Sequence, residues 1–125
     1  MRRIAAALIA FLPIMAQAEG LTSLETGDDG RGWAGVGRLD LGGRAFCTGV
    51  LIEPDLVLTA GHCLFDKQTG TRIDPATIRF LAGWRHGRAE AYRGVKKAVA
   101  HPDFVYSGED LLARVSHDLA LVQLD

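Results

Sequence analysis

The chain has 125 residues, enough for one domain with a core of its own. Its 14 basic and 15 acidic residues nearly cancel and form no basic run, so the electrostatic footprint of a nucleic-acid-binding protein is missing. Apart from the first 15 residues no stretch is persistently apolar, so nothing later in the sequence is expected to hold a membrane.

Met1-Arg2-Arg3 is a short positive start, Ile4 to Met15 is almost uninterruptedly apolar, and Ala16-Gln17-Ala18 is a small-x-small site before Glu19. The apolar run falls short of the roughly 20 residues that cross a bilayer, and the three parts together predict a secretory signal peptide over residues 1–18. Arg2-Arg3 is compatible with twin-arginine export and equally with an ordinary positive start. Cleavage leaves residues 19–125 with a net charge of −3, because two basic residues go and no acidic one does. The expected product is secreted or periplasmic, with no membrane segment.

Export bears on the two cysteines, Cys47 and Cys63, which both lie in the exported part. An oxidising compartment favours their pairing over two buried free thiols. A bridge closing a loop of about 15 residues is worth about 3 kcal/mol on the chain-entropy estimate. No metal site is expected: there is no C-x-x-C pair, and His62, His86, His101 and His117 lack the close spacing of zinc ligands.

Residues 19–32 contain Gly27-Asp28-Asp29-Gly30 and read as an exposed lead-in. Trp33 to Leu41 alternates in part, Gly42-Gly43 signals a turn, and Ala45 to Ile52 is a second strand, which together predict a hairpin. Glu53-Pro54-Asp55 interrupts, and Leu56 to Ala60 follows as a third, buried strand. Phe65 to Ala76 is loop-like. Ile78 to Trp84 is a fourth strand and Ala89 to Arg93 a fifth, with Val95 to Ala100 continuing it past Gly94 or starting another. A polar connection runs from His101-Pro102 to Ser116, with room for one helical turn at Leu111 to Val115, before a last strand from Asp118 to Leu124. Six or so short strands with Gly and Pro punctuation predict an all-β barrel or sandwich.

Two residues stand out chemically. His62 directly follows the buried third strand and is next to Cys63; Asp118 opens an otherwise apolar strand. A carboxylate taken out of water needs a partner, and an imidazole N–H would serve, fixing the ring's tautomer and supporting its imidazolium form. Sequence spacing alone does not bring the two together, and on spacing alone a packed histidine with a turn-capping aspartate is the commoner arrangement.

Phe46-Cys47-Thr48-Gly49-Val50-Leu51-Ile52 followed by Val57-Leu58-Thr59-Ala60-Gly61-His62-Cys63 resembles the histidine region of trypsin-like (chymotrypsin-fold, S1) serine proteases. His117-Asp118-Leu119-Ala120-Leu121-Val122-Gln123-Leu124 resembles the same family's aspartate region, and Ala100-His101-Pro102-Asp103-Phe104 the segment that precedes it. The similarity runs from Trp33 to Asp125. It implies a six-stranded antiparallel barrel of Greek-key type, the first of the family's two, over residues 33–125. It also implies that His62 is the general base and acid, that Asp118 orients it, that Cys47 pairs with Cys63, and that the substrate is a protein or peptide cut without a cofactor. Gly61 stands where the family more often has alanine, and His86, His101 and His117 match no catalytic position.

The family's mechanism also needs a serine nucleophile and an oxyanion hole. Ser23, Ser107 and Ser116 lie in nothing like its Gly-Asp-Ser-Gly-Gly turn. The expectation is therefore the N-terminal half of an exported endopeptidase, inactive as it stands, with a face that a second barrel would cover. A one-barrel, non-catalytic binding module derived from a protease is the alternative. No Ile-Val-Gly-Gly-like start occurs between Glu19 and Trp33, which sets trypsin-style activation aside and leaves room for similarity to bacterial, glutamyl-endopeptidase-like relatives.

Overall fold

The computed structural model describes residues 20, 22–107 and 110–125, so the expected signal peptide lies outside the described residues. Six strands, β1 (Val36–Leu41), β2 (Ala45–Glu53), β3 (Leu56–Thr59), β4 (Ile78–Ala82), β5 (Ala91–Ala100) and β6 (Ala120–Leu124), form one sheet. Every neighbouring pair is antiparallel, and the order β1-β2-β3-β6-β5-β4 closes into a barrel. β4 lies beside β1 at one end of the β1–β2–β3 meander, which is the Greek-key arrangement.

Alternation explains the filling. Along β1 and β6 every second residue is buried: Gly37, Leu39 and Leu41, then Ala120, Val122 and Leu124. With Val57, Leu64, Ile78 and Phe80 these form the core, and Phe80, Leu39, Leu64, Ile78, Leu124, Val57 and Val122 are essentially sealed. Each such side chain contributes about 1.5–3 kcal/mol relative to exposure. The Phe80 ring takes the space that a side chain on β1 would need: a Cβ at Gly37 would stand 2.7 Å from Phe80 Cζ.

Several expected boundaries move. Arg31–Trp33 is a short 3-10 turn, and β1 begins only at Val36, where β2 offers Val50 as a partner. β4 ends at Ala82 because Gly83 turns the chain at φ 61°, which leaves Trp84 in the connection to β5. β5 is a single strand running through Gly94, and Ala89 and Glu90 precede it. β6 starts at Ala120, so Asp118 sits in the approach to the strand rather than in it. The Phe65 to Ala76 segment carries a bridge between Phe65 and Arg72 and a 3-10 turn, Pro75–Thr77, capped by Asp74. The expected helical turn is α1 (Leu111–Val115). The lead-in from Thr22 to Asp29 is exposed, and Arg85 donates to the carbonyls of Leu24 and Thr26 within it. No helix among the described residues is long and apolar enough to cross a membrane.

Candidate active site

β3 ends at Thr59, whose hydroxyl donates to Thr48 O on β2 at 2.8 Å. The chain then tightens at once into a 3-10 turn, Gly61–Leu64. Gly61, Cys63 and Leu64 face inward and are buried, which turns His62 outward, with its side chain 50% exposed. A disulfide from Cys63 to Cys47 ties this turn to β2. Phe65, next in sequence, stacks on Tyr106 at 4.6 Å and lies tilted to Phe104 at 6.0 Å. The imidazole therefore projects from a turn fixed by a covalent bond, by buried residues and by an aromatic cluster.

Gly61 has a local reason. A Cβ there would stand 2.9 Å from Phe104 Cδ1 and 3.2 Å from Asp118 Oδ1. The Phe104 ring occupies the room that alanine would need, so the two small residues are not equivalent in this chain.

Asp118 follows α1 in the β5–β6 connection. α1 is N-capped by Asp110, and Ser116 closes the helix by donating its N–H to Leu112 O. His117 then adopts a left-handed backbone, φ 58°. The Asp118 carboxylate, with its side chain 23% exposed, reaches His62 through both oxygens. Oδ1 accepts from the His62 backbone N–H at 2.8 Å, and Oδ2 meets Nδ1 at 2.7 Å. An ionised carboxylate only accepts, so Nδ1 carries the proton and Nε2 is left with a lone pair. The double contact locks ring plane and tautomer together.

The other residues that the sequence singles out fall elsewhere. Ser116 borders α1 rather than a strand, Ser23 is in the lead-in and Ser107 in the β5–β6 connection, and among the described residues none of the three hydrogen-bonds to His62. His86 is exposed in the β4–β5 turn at φ 48°, while His101 and His117 stack on each other at 4.8 Å. Ligand atoms of Cys47, His62 and Cys63 lie within 4.8 Å of one another, yet both sulfurs are spent in their mutual bond, so neither is a thiolate able to ligate a metal. Two features of the site have no counterpart in the sequence pattern, the left-handed turn at His117 and the fit of Phe104 against Gly61; no spacing rule signals either.

A groove of about 510 Å³ opens beside His62, with Cys47 and Cys63 in its lining and Phe46, Phe65, Asp66 and Arg72 around it. Backbone N–H groups of Thr69 and Gln68 donate to Asp66, and together they hold its carboxyl below the usual range. A second cavity of about 500 Å³, between the lead-in and the β4–β5 turn, includes neither His62 nor Asp118.

A closed Greek-key barrel presenting a histidine and an aspartate at one end defines a chymotrypsin-fold half-unit. The sequence model of the trypsin family matches residues 27–125, and the chain belongs to that family. It is 37% identical over 93 residues to human Serine protease 56, covering 74% of this chain and 14% of that relative. It is 40% identical over 50 residues to glutamyl endopeptidase of Bacillus licheniformis, covering 40% of this chain and 15% of that protein. A solved structure of Glu endopeptidase in complex with MPD superposes with a TM-score of 0.55 at 21% identity, over 74% of this chain and 40% of that one. The last likeness concerns the fold. The chain thus spans only a fraction of the length of the relatives that it matches.

Proposed function

We propose that this chain is the base-bearing barrel of an exported trypsin-like serine endopeptidase. The observation that carries the reading is the double hydrogen bond from His62 to Asp118. With Nδ1–H engaged by the carboxylate, Nε2 is the atom able to take a proton from a nucleophilic hydroxyl and return it to a leaving amine. Asp118 orients the ring and stabilises the imidazolium while the proton resides there. The substrate is a protein or peptide, and the groove beside His62 suits an extended chain.

The serine and the oxyanion hole belong to a second barrel. Support comes from the outer face of β2, β6 and β5, where Val50, Ile52, Leu121 and Val99 are exposed, with Leu119 exposed just before β6. Strand register places Val50 opposite Leu58, Leu58 opposite Leu121, and Leu121 opposite Val99, so the apolar residues run across adjacent strands next to Asp118. A continuous apolar face of this kind is what a partner domain covers.

Without that barrel the 125-residue chain hydrolyses no peptide bond, because removing the nucleophile and the oxyanion hole together leaves little of the rate enhancement. A fluorophosphonate probe incubated with the purified chain is expected to label nothing. Stoichiometric labelling of Ser23, Ser107 or Ser116 would refute the assignment. Reading the DNA beyond the Asp125 codon in three frames complements it: a Gly-Asp-Ser-Gly-Gly turn is expected there, and its absence favours a one-barrel binding module.

A further inference from the structure

Asp118 is held by its neighbours in the chain, and both neighbours are held by His101. The His101 backbone N–H donates to Leu119 O at 2.8 Å. Its ring stacks on the His117 ring, centroids 4.8 Å apart and planes 19° from parallel. Its Nδ1 accepts from the Asp103 N–H at 3.1 Å, which fixes the plane of the ring against which His117 rests. One residue thus contacts both position 117 and position 119, with 118 bridging between them.

The grip matters because the backbone at 117 is unusual. A φ of 58° at a residue with a side chain is a conformation rarely adopted without outside support. The turn is tightened further by Leu119 N donating to His117 O at 2.7 Å, across Asp118. If residue 117 relaxed to an ordinary negative φ, the carboxylate would swing away from the two donors of His62. We propose that His101, through its stack with His117, is a positioning residue for Asp118. It touches neither His62 nor any reacting atom. The role rests on the reading of His62 and Asp118 as a catalytic pair.

The readout is the tautomer of neutral His62 in the intact chain, taken from the two ring ¹⁵N shifts. It needs no nucleophile and no substrate. Wild type is expected to carry the proton on Nδ1. His101→Asn keeps an acceptor for the Asp103 N–H and the backbone bond to Leu119 but has no ring to stack, so the Nδ1–H to Nε2–H ratio should fall by about threefold or more. His101→Phe restores a stacking face and should hold the wild-type ratio. Should His101→Asn fail to fold, His117→Ala removes the other ring while keeping the Cβ that disfavours a positive φ, and should lower the ratio in the same way. A wild-type ratio in His101→Asn or His117→Ala overturns the proposal, as does an equal fall in His101→Phe. If Nδ1–H does not predominate even in wild type, the His62–Asp118 pair itself is refuted and the positioning role goes with it; a correct wild-type tautomer indifferent to residue 101 removes the positioning role alone.

Discussion

His62 and Asp118 meet at 2.7 Å but are attached to the barrel in different ways. His62 stands on a four-residue turn whose Cys63 is bonded to Cys47 and whose Leu64 is sealed in the core. Asp118 stands at the end of a connection whose helix leaves Leu111, Leu112 and Val115 exposed, and it is placed by hydrogen bonds and a left-handed turn. His62 is anchored by burial and covalency, whereas the Asp118 carboxylate is aimed by local backbone geometry. Damage to the first should register as lost stability. Damage to the second should register as lost alignment with the barrel still folded.

The sharpest test of that contrast is the paired replacement Cys47→Ala with Cys63→Ala. Removing the bridge is expected to cost about 2–5 kcal/mol in urea denaturation. The contrast breaks if the loss is under about 1 kcal/mol, or if the amide shifts of the 101–104 segment move as much as those of 61–64. Next is Gly61→Ala, whose methyl would press on Phe104. Overpacking of this kind costs about 1–3 kcal/mol, and a melt matching wild type would show that Phe104 yields freely. A smaller effect, about 1 kcal/mol, is expected from Asp110→Ala, which removes the acceptor for Leu112 and Ala113 N–H at the start of α1. Its amide-exchange signature should stay within the β5–β6 connection and leave Gly61–Leu64 untouched.

The least effect concerns Asp66 at the groove. Thr69 N–H first and Gln68 N–H second lower its pKa from the ordinary 3.8. The folded state thus binds this proton less readily than the unfolded one. Its contribution is present above about pH 4 and fades as pH falls through the lowered folded value. The Thr69 amide resonance should titrate with a midpoint below 3.8, and a midpoint at or above 3.8 would contradict the assignment.

Alternation and turn residues make most strands legible, and the hairpin over Gly42-Gly43 forms with both glycines at positive φ. Of the two readings left open at Gly94, the continuing strand is the one that forms, and the reason is instructive: a glycine that looks like punctuation answers instead to packing. Gly94 does not end a strand. Its N–H donates to Asp125, and a Cβ there would stand 2.5 Å from Asp125 Oδ2. Gly49, similarly, lies 2.5 Å (from its would-be Cβ) from Val57 Cγ1 in the barrel interior. The site is legible only as two residues 56 positions apart, and the motifs around them, not their chemistry, suggest the pairing. What aims Asp118 is not legible at all, because a left-handed histidine and a ring stack depend on atoms brought together by the finished barrel.

Closure of the sheet has a further consequence. Among the described residues each strand has a neighbour on both sides, but not along its whole length: Ala45 to Gly49 of β2 pair with β1 alone and Lys97 to Ala100 of β5 with β6 alone. The backbone N–H and C=O groups left outside the ladder lie mainly in those short stretches, and the one on β2 includes Cys47 of the disulfide beside His62. Another copy of the chain thus meets, among the described residues, no strand edge that is free from end to end on which to polymerise.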